Sequence, residues 1–115
     1  MNDCPFCDLS KIETIQFDDG EVVIFSPLNP VVEGHLLVVP KQHVSDFAEN
    51  PYTSSRVMER AAAFAKECGG DFEGINLITS KGKAATQSVM HLHIHLVPRK
   101  EGDGLHLPWT GQKHN

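Results

Sequence analysis

The sequence predicts an α+β domain in which one long helix packs on a mostly antiparallel sheet. Three observations lead to this prediction. One segment repeats its apolar residues at helical spacing, and several short apolar runs on both sides of it have the period or length of strands. At 115 residues, with 40% hydrophobic and 22% charged residues, the chain suits one domain with an ordinary buried core.

The first half of the chain predicts three strands. Residues 12–17 and 21–25 are short runs that contain Ile, Val and Phe, and Asp18-Asp19-Gly20 between them is a hairpin signal. Residues 35–39 form an apolar run that Pro40 closes. A short apolar run without alternation is typical of a buried strand. These strands therefore supply much of the predicted sheet.

Residues 53–68 predict the single long helix. Thr53 or Ser54 suits its N-cap, and Gly69-Gly70 is a clear stop signal. A further strand at residues 74–80 and a polar loop follow. The apolar stripe of the helix is expected to face the core and consists of Val57, Ala61, Phe64, Ala65 and Cys68.

Residues 89–97 predict a strand in which three histidines alternate with aliphatic residues. A period of two places the imidazoles on one face and the aliphatic side chains on the other, toward the core. Pro98 is expected to end this strand. Imidazole titrates near neutral pH and acts as a base, a nucleophile or a metal ligand, so the histidine face indicates a function. The histidines are His91, His93 and His95, and the aliphatic residues are Leu92, Ile94 and Leu96.

The net charge of -5 argues against general nucleic-acid binding. Residues 74–100 nevertheless contain no Asp or Glu and carry two lysines in the loop before the histidines. This stretch suits an anionic ligand such as a phosphate, although a chance run of neutral residues explains it equally well. No apolar run approaches the length of a membrane span, and the N-terminus lacks a signal-peptide pattern. We therefore expect a cytoplasmic protein without a membrane partner.

Cys4 and Cys7 form a C-x-x-C pair near the N-terminus. In a cytoplasmic protein this spacing indicates metal binding or redox chemistry. A tetrahedral zinc site needs two more ligands, and these would have to be histidines, because the chain has no second pair of this kind. His43, just beyond a strand, and His91 are the candidates. Zinc, free thiols and a disulfide all remain open at this point.

Three other residues have two interpretations each. His35 opens an apolar strand after Gly34, so it is either a hydrogen-bonded core histidine or part of a site. Gln87 and Ser88 directly precede the histidine strand, where they either bind phosphate oxygens or close a turn. The residues alone do not decide between these interpretations.

Five motifs together resemble the histidine-triad (HIT) superfamily. Residues 91–97 are similar to its signature His-φ-His-φ-His-φ-φ, in which φ is apolar. Residues 34–43 resemble its first strand motif, and Gln87-Ser88-Val89 resembles its phosphate loop. Cys4-Pro5-Phe6-Cys7 is similar to the N-terminus of the zinc-containing, prokaryotic-type members. Residues 98–103 resemble the tail of the prokaryotic and fragile-histidine-triad branches, so the resemblance spans most of the chain.

The resemblance implies a HIT domain at residues 1–103 that pairs as a symmetric homodimer. The tail, residues 104–115, is expected to pack at the dimer interface. It also implies a nucleotide hydrolase or nucleotidyl transferase, like the nucleoside phosphoramidase-like members. The expected substrate is a nucleoside phosphoramidate, a dinucleoside polyphosphate or an adenylylated molecule, attacked at its α-phosphate. No organic cofactor is implied.

By the same resemblance, His93 is the nucleophile and forms a nucleotidyl-histidine intermediate that water hydrolyses. A main-chain carbonyl is expected to accept the other N–H of its ring. His95 and Gln87 contact phosphate oxygens, Ser88 contacts the leaving oxygen, and His35 supports the histidines from the adjacent strand. In the zinc-containing branch a closed structural zinc site would be formed by Cys4, Cys7, His43 and His91.

One position departs from the family pattern. Many members carry Asp or Asn before the first strand motif, where it binds the ribose hydroxyls, and Pro27 stands at that position here. Asn29 lies close enough to compensate in substrate binding, and Ser80 stands where some branches have Asn. Processing of 5′-adenylated DNA, known in one branch, is not expected, because the chain has no basic tract.

Three hypotheses about function remain. The first is a HIT hydrolase, and the intact triad and Gln87-Ser88 support it. The second is a nucleotide-binding protein of the same fold with little or no activity, and Pro27 is the feature that supports it. The third is a metalloenzyme in which the three histidines of the triad hold a catalytic metal ion.

Overall fold

The computed structural model describes residues 4–109, in which five strands form one antiparallel sheet. The strands are β1 (Ile15–Asp18), β2 (Val22–Phe25), β3 (Leu36–Pro40), β4 (Gly74–Ile78) and β5 (Ile94–Arg99). Their order across the sheet is β1-β2-β3-β5-β4. One long helix, α1 (Pro51–Cys68), and a short 3-10 helix (Lys83–Ala85) complete the described elements. The predicted α+β class is confirmed.

Helix α1 begins earlier than the sequence predicts. Asn50, rather than Thr53 or Ser54, is the N-cap, because its side-chain oxygen accepts a hydrogen bond from the N–H of Thr53. Pro51 suits the first helical position, where its missing N–H costs no hydrogen bond. Gly69 ends the helix, as predicted.

Helix α1 covers one face of the sheet and encloses the main core. Only the first part of its apolar stripe is fully buried, at Val57 and Ala61. Cys68, which is expected in the core, is exposed, because the burial of the stripe declines toward the last turn of the helix. The buried residues of this core are Val22, Ile24, Leu36, Val38, Val44, Val57, Ala61, Leu92, Ile94 and Leu96.

The N-terminal segment, residues 4–12, covers part of the opposite face of the sheet. Phe6, Leu9 and Ile12 pack there against a second core of four buried residues. Because both faces are covered, all residues of β2 and β3 are buried. This explains why the two strands are apolar without alternation. The second core consists of Val23, Phe25, Leu37 and Val39.

Strand β5 begins at Ile94, so the prediction of a strand from residue 89 is wrong for its first residues. The pairing with its neighbours ends there: β3 pairs with β5 up to Ile94, although β3 itself continues to Pro40, and β4 pairs with β5 up to His95. The chain before Ile94 therefore runs beyond the edge of the ladder. Its alternation persists, because Leu92 still points into the main core.

Pro98 does not end β5, contrary to the prediction, because the strand continues to Arg99. Pro98 pairs with Ile75 of β4. On its other side β5 has no partner strand at Pro98, because β3 pairs with β5 no further than Leu96. Gly34 lies there instead, and a side chain on it would meet the Pro98 ring at 3.1 Å.

The start of the tail is tied to β5 by Arg99. Its guanidinium donates hydrogen bonds to both carboxylate oxygens of Asp103, to Asn76 and to the carbonyl of Leu105. Residues 110–115 of the expected interface tail lie outside the described residues. Between residues 4 and 109, no helix is both long and apolar enough to cross a membrane.

Candidate active site and metal centre

The candidate site lies where the chain enters β5, beyond the last residues that pair with β3 and β4. The N–H of Leu92 donates to the carbonyl of Val44 over 2.8 Å, which fixes this segment to the loop after β3. Leu92 is buried in the main core, so His91 and His93 on either side of it point away from that core. The histidines therefore lie on one side of the segment, as predicted. Two groups of side chains form next to each other on that side, one around His91 and one around His93.

The first group is a cluster of four possible metal ligands beside His91, whose ligand atoms all lie within 4.8 Å of one another. Nδ1 of His91 is 3.3 Å from Sγ of Cys4 and 3.6 Å from Sγ of Cys7. Nδ1 of His43 is 3.1 Å from both Sγ of Cys7 and Nδ1 of His91. Ligands of a tetrahedral zinc ion lie roughly 3.3–3.8 Å apart, given bonds of about 2.3 Å to sulfur and 2.0–2.1 Å to nitrogen. The cluster thus joins the four residues predicted to bind zinc.

The donor chemistry of this cluster suits a cation. Nε2 of His91 donates to the carbonyl of Pro40 over 2.8 Å, so Nδ1 carries a lone pair that points into the cluster. Desolvation lowers the pKa of His91 and favours this neutral form. Desolvation and the adjacent Cys4 raise the pKa of the Cys7 thiol, an effect that a bound divalent cation would reverse. The cysteines are free and not bridged, and the cluster is compatible with zinc.

The second group contains His93, which is half-buried and oriented by the main chain. Its Nδ1 donates to the carbonyl of His91 over 2.8 Å, so Nε2 carries the lone pair. Within residues 4–109 no group hydrogen-bonds to this Nε2. The carbonyl of His93 in turn accepts a hydrogen bond from the hydroxyl of Thr79 over 2.7 Å. Both carbonyls are available because they precede the β5 ladder. An oriented imidazole with a free lone pair is what a nucleophile requires.

A chain of hydrogen bonds sets the protons on His35 and His95. The N–H of Val31 donates to Nδ1 of His35 over 3.0 Å, so the proton of His35 lies on Nε2 and is donated to Nδ1 of His95 over 2.9 Å. Desolvation lowers the pKa of His35. Desolvation, followed by the neighbouring His93 and His35, lowers the pKa of His95 to about 4. At pH 7 both rings are neutral, and Nε2 of His95 carries a proton that it can donate to an anion.

Gln87 is buried, and its side chain is hydrogen-bonded to the main chain on all sides. Oε1 accepts from the N–H of Gly82 over 2.7 Å, and Nε2 donates to the carbonyls of Ser45 at 2.6 Å and Val89 at 3.0 Å. Gln87 therefore closes the loop between β4 and the histidine segment. Ser88 is exposed and makes no hydrogen bond among the described residues, so its hydroxyl is accessible to a ligand.

The remaining predicted residues lie further from this hydrogen-bonded network. Pro27 is half-buried and Asn29 exposed in the loop between β2 and β3, and Asn29 forms no hydrogen bond with any residue from 4 to 109. Ser80 is half-buried in the loop after β4. The structure does not connect these three residues to the histidines.

Two residues near the histidines were not singled out from the sequence. The hydroxyl of Thr79 donates to the carbonyl of His93, and the Phe6 ring makes T-shaped contacts with both His91 and His93. Phe6 lies between the two cysteines of the C-x-x-C pair, and this position in the sequence could have indicated that it lies near the histidines. Thr79 carries no such signal, because its contact depends on the pairing of β4 with β5.

Comparisons with known proteins identify the family of this chain. The sequence matches the HIT domain family over residues 10–102. The adenylylsulfatase HINT3 of Arabidopsis thaliana is 33% identical over 123 residues, which cover 100% of this chain and 61% of that protein. In that comparison the chain spans less than two thirds of its relative.

Two solved structures are similar throughout the fold. A HIT family hydrolase from Clostridium thermocellum has a TM-score of 0.77 and 30% identity, covering 93% of this chain and 99% of that one. A zinc-bound histidine triad protein from Mycobacterium smegmatis has a TM-score of 0.74 and 33% identity, covering 90% of this chain and 80% of that one. The chain therefore belongs to the HIT domain family and has the fold of its nucleotide-binding hydrolases.

Proposed function

We propose that this protein is a nucleotide hydrolase or nucleotidyl transferase that uses His93 as a nucleophile against the α-phosphate of its substrate. The substrate class comprises nucleoside phosphoramidates, dinucleoside polyphosphates and adenylylated molecules. The adenylylsulfatase activity named for the Arabidopsis relative supports the adenylylated class. The observation that carries the proposal is the free lone pair on Nε2 of His93 beside the N–H of His95.

The proposed reaction has two displacement steps. Nε2 of His93 attacks the α-phosphorus, the bond from phosphorus to the leaving group breaks, and a nucleotidyl-histidine forms. Water then attacks the same phosphorus, the P–N bond breaks, and the nucleoside monophosphate leaves. Splitting one hydrolysis into two steps is the usual benefit of covalent catalysis. The hydrogen bond from Nδ1 to the carbonyl of His91 stabilises the positive charge that His93 acquires.

Four other residues have proposed roles around the phosphate. His95 donates its Nε2 proton to a phosphate oxygen, and His35 keeps that proton in place through the hydrogen bond to Nδ1. Ser88 contacts the leaving oxygen. Gln87 also faces the phosphate, although contact with an oxygen would require it to exchange one of its main-chain hydrogen bonds.

We further propose that Cys4, Cys7, His43 and His91 hold a structural zinc ion. When bound, zinc in such a closed site crosslinks the chain and supplies no reactive position. Its ligands would join the N-terminal segment, the loop after β3 and the histidine segment. His91 lies in this cluster and does not converge with His93 and His95, an arrangement that does not favour a catalytic metal held by the triad.

A symmetric homodimer is also proposed, formed through β4. This strand pairs with β5, and its other edge has no partner strand within residues 4–109. An open edge is a natural surface for strand addition. The tail at residues 104–115 would pack at that interface. A mass twice that of the chain in analytical ultracentrifugation supports the dimer. The cytoplasmic location stays a prediction.

The alternative is a nucleotide-binding protein with the same fold and little or no turnover. Pro27 favours it, because proline offers no hydrogen bond to the ribose hydroxyls at the position where the family usually has Asp or Asn. Asn29 would have to supply this contact. If it does, Asn29→Ala raises KM for an adenosine phosphoramidate by about 10-fold, the loss of one hydrogen bond to a ligand.

Intact-protein mass spectrometry tests the proposed function. The wild type is incubated with adenosine 5′-phosphoramidate and sampled over time, beside His93→Gly and the control His106→Gly, which removes an exposed imidazole from the tail. We expect a transient adduct of one AMP on the wild type and the control, and none on His93→Gly. Absence of both adduct and released AMP across several nucleotides would favour the binding protein.

A further inference from the structure

Phe6 stands between the metal cluster and the proposed nucleophile. It lies between Cys4 and Cys7 in sequence, and its ring packs edge-on against two histidines of the triad. The ring centroids are 5.9 Å apart for His91, at an interplanar angle of 88°, and 5.3 Å apart for His93, at 70°. On its other side the Phe6 ring contacts Phe25 of the second core at 5.7 Å. One side chain thus touches a metal ligand, the nucleophile and the core.

The segment that carries Phe6 is held to the sheet by side chains. Its backbone hydrogen bonds are local turns, from the N–H of Cys7 to the carbonyl of Cys4 and from the N–H of Ile12 to the carbonyl of Leu9. No strand of the described sheet pairs with residues 4–12. What remains is apolar packing against the second core and the two cysteines in the metal cluster. A metal ion that joins those cysteines to His43 and His91 would therefore fix the position of Phe6.

The ring of His93 needs such support. One hydrogen bond, from Nδ1 to the carbonyl of His91, sets its tautomer, but a ring held at a single atom can still tilt about that bond. Two aromatic neighbours flank it, His95 with its centroid at 5.1 Å and Phe6 at 5.3 Å. His95 is itself held by His35. Phe6 is the neighbour whose position depends on the metal cluster.

We propose that Phe6 is a positioning residue for His93, and that metal bound at Cys4, Cys7, His43 and His91 acts on the nucleophile through it. This inference rests on the proposed function of His93 as nucleophile. Misplacing a reacting atom by about 1 Å can cost roughly 100-fold in rate, so a flanking ring that limits the tilt of His93 has a measurable effect on kcat.

The first experiment compares Phe6→Ala with Leu9→Ala in the metal-loaded, full-length protein. Leu9 packs on the same second core but has no ring contact with a histidine, so its variant controls for lost burial. Heteronuclear NMR of the histidine ring nitrogens reports the tautomer and exchange of His93, and kinetics with adenosine 5′-phosphoramidate gives kcat and KM separately. Phe6→Tyr, which keeps the ring, is the rescue variant.

We expect Phe6→Ala to lower kcat about 10-fold or more relative to Leu9→Ala, with a smaller change in KM. Its His93 signals should show a mixture of tautomers or exchange broadening, while Leu9→Ala and Phe6→Tyr keep the wild-type pattern. Equal kcat and equal His93 spectra in Phe6→Ala and Leu9→Ala would overturn the positioning role.

The second experiment removes the metal with a chelator from the wild type and from Phe6→Ala. If the metal acts through Phe6, chelation lowers kcat in the wild type toward that of Phe6→Ala and has little further effect in the variant, because the two changes are coupled. Hydrogen exchange of residues 4–12 should accelerate on chelation. The same fold-loss of kcat in both proteins would overturn the route through Phe6.

The NMR measurement separates this inference from the proposed function. If no nucleotide is turned over, the function proposed for His93 fails, and the ring spectra still decide whether Phe6 and the metal hold it. If turnover proceeds normally and the ring of His93 is indifferent to Phe6, the inference fails and the proposed function stands.

Discussion

His91 and His93 are two residues apart, and each ring is held by one main-chain carbonyl, but opposite nitrogens are used. His91 is fully buried, gives its Nε2 proton to the carbonyl of Pro40 and directs the lone pair of Nδ1 at the cysteines. His93 is half-buried, gives its Nδ1 proton to the carbonyl of His91 and leaves the lone pair of Nε2 without a partner among the described residues. The proposed metal-binding end and the proposed catalytic end of one segment thus contain the same side chain in two tautomers.

This difference shows that the role of each histidine depends on the acceptor it meets. His95 continues the alternation, because His35 donates to its Nδ1 and leaves the proton on Nε2. In the proposed function the three rings would therefore present a lone pair to a metal, a lone pair to a phosphorus atom and a proton to a phosphate oxygen. Each carbonyl or ring that decides this is fixed by the fold.

The largest expected effects come from mutation of His93, which should change turnover, and of His91, which should change stability. We expect His93→Ala to lower turnover by about 1,000-fold or more while leaving the free energy of unfolding within about 1 kcal/mol. His91→Ala should instead lower that free energy by about 3 kcal/mol or more, since it opens a cavity and removes a metal ligand. Urea titration and single-turnover kinetics measure both. If His93→Ala destabilises the protein as much as His91→Ala, the proposed division of roles between the two histidines is wrong.

Metal removal should lower the stability of the protein through the cluster around the buried His91. We expect a chelator to lower the Tm of the wild type by about 10 °C, because a metal that binds the folded state stabilises it by several kcal/mol. The Cys4→Ser, Cys7→Ser double variant should begin at the lower Tm and not respond to the chelator. Differential scanning calorimetry with and without added zinc gives the result, and an unchanged wild-type Tm would show that the cluster holds no metal.

At the catalytic end, His35→Phe tests the hydrogen bond that sets the proton of His95. Phenylalanine fills the space of the buried imidazole but cannot donate to Nδ1 of His95. The proton of the His95 ring is then no longer held on Nε2. We expect kcat to fall about 10-fold, with KM changed less than about threefold. Leu37→Met, two residues further along in β3, is the packing control. Equal kcat for His35→Phe and wild type would remove His35 from the mechanism.

The last expected effect is a pH dependence of stability at His95. Its pKa is about 4 in the folded protein and about 6.5 in an unfolded chain, so the folded state binds fewer protons between these values. Stability contributed by the neutral ring is therefore present above pH 6.5 and is lost as the pH falls toward 4. We expect His95→Asn, which cannot titrate there, to lose less stability than wild type between pH 7 and 4.5 in urea titrations. Parallel losses in the two proteins would contradict the shifted pKa.

Local patterns were enough to predict much of the fold. The alternation at residues 91–96 correctly directs Leu92, Ile94 and Leu96 into the core, because a period of two is a property of the extended chain itself. The apolar run at residues 35–39 correctly indicates a strand buried on both faces. Most errors concern boundaries: β5 starts at Ile94 and passes through Pro98, since neighbouring strands decide which residues are paired. The other error is Cys68, which is exposed and not in the core.

The sequence by itself determined the α+β class, the histidine face and, through its resemblance to the family, the group Cys4, Cys7, His43 and His91 that the structure brings together. Only the tertiary structure decided which nitrogen of each histidine is free, that Gln87 spans the loop, and that Phe6 touches His93. Periodicity acts between neighbours in the chain, whereas most of these contacts join residues far apart in sequence, such as Gln87 with Ser45 and Phe6 with His93. They exist only after the strands have paired and the N-terminal segment has packed on the sheet.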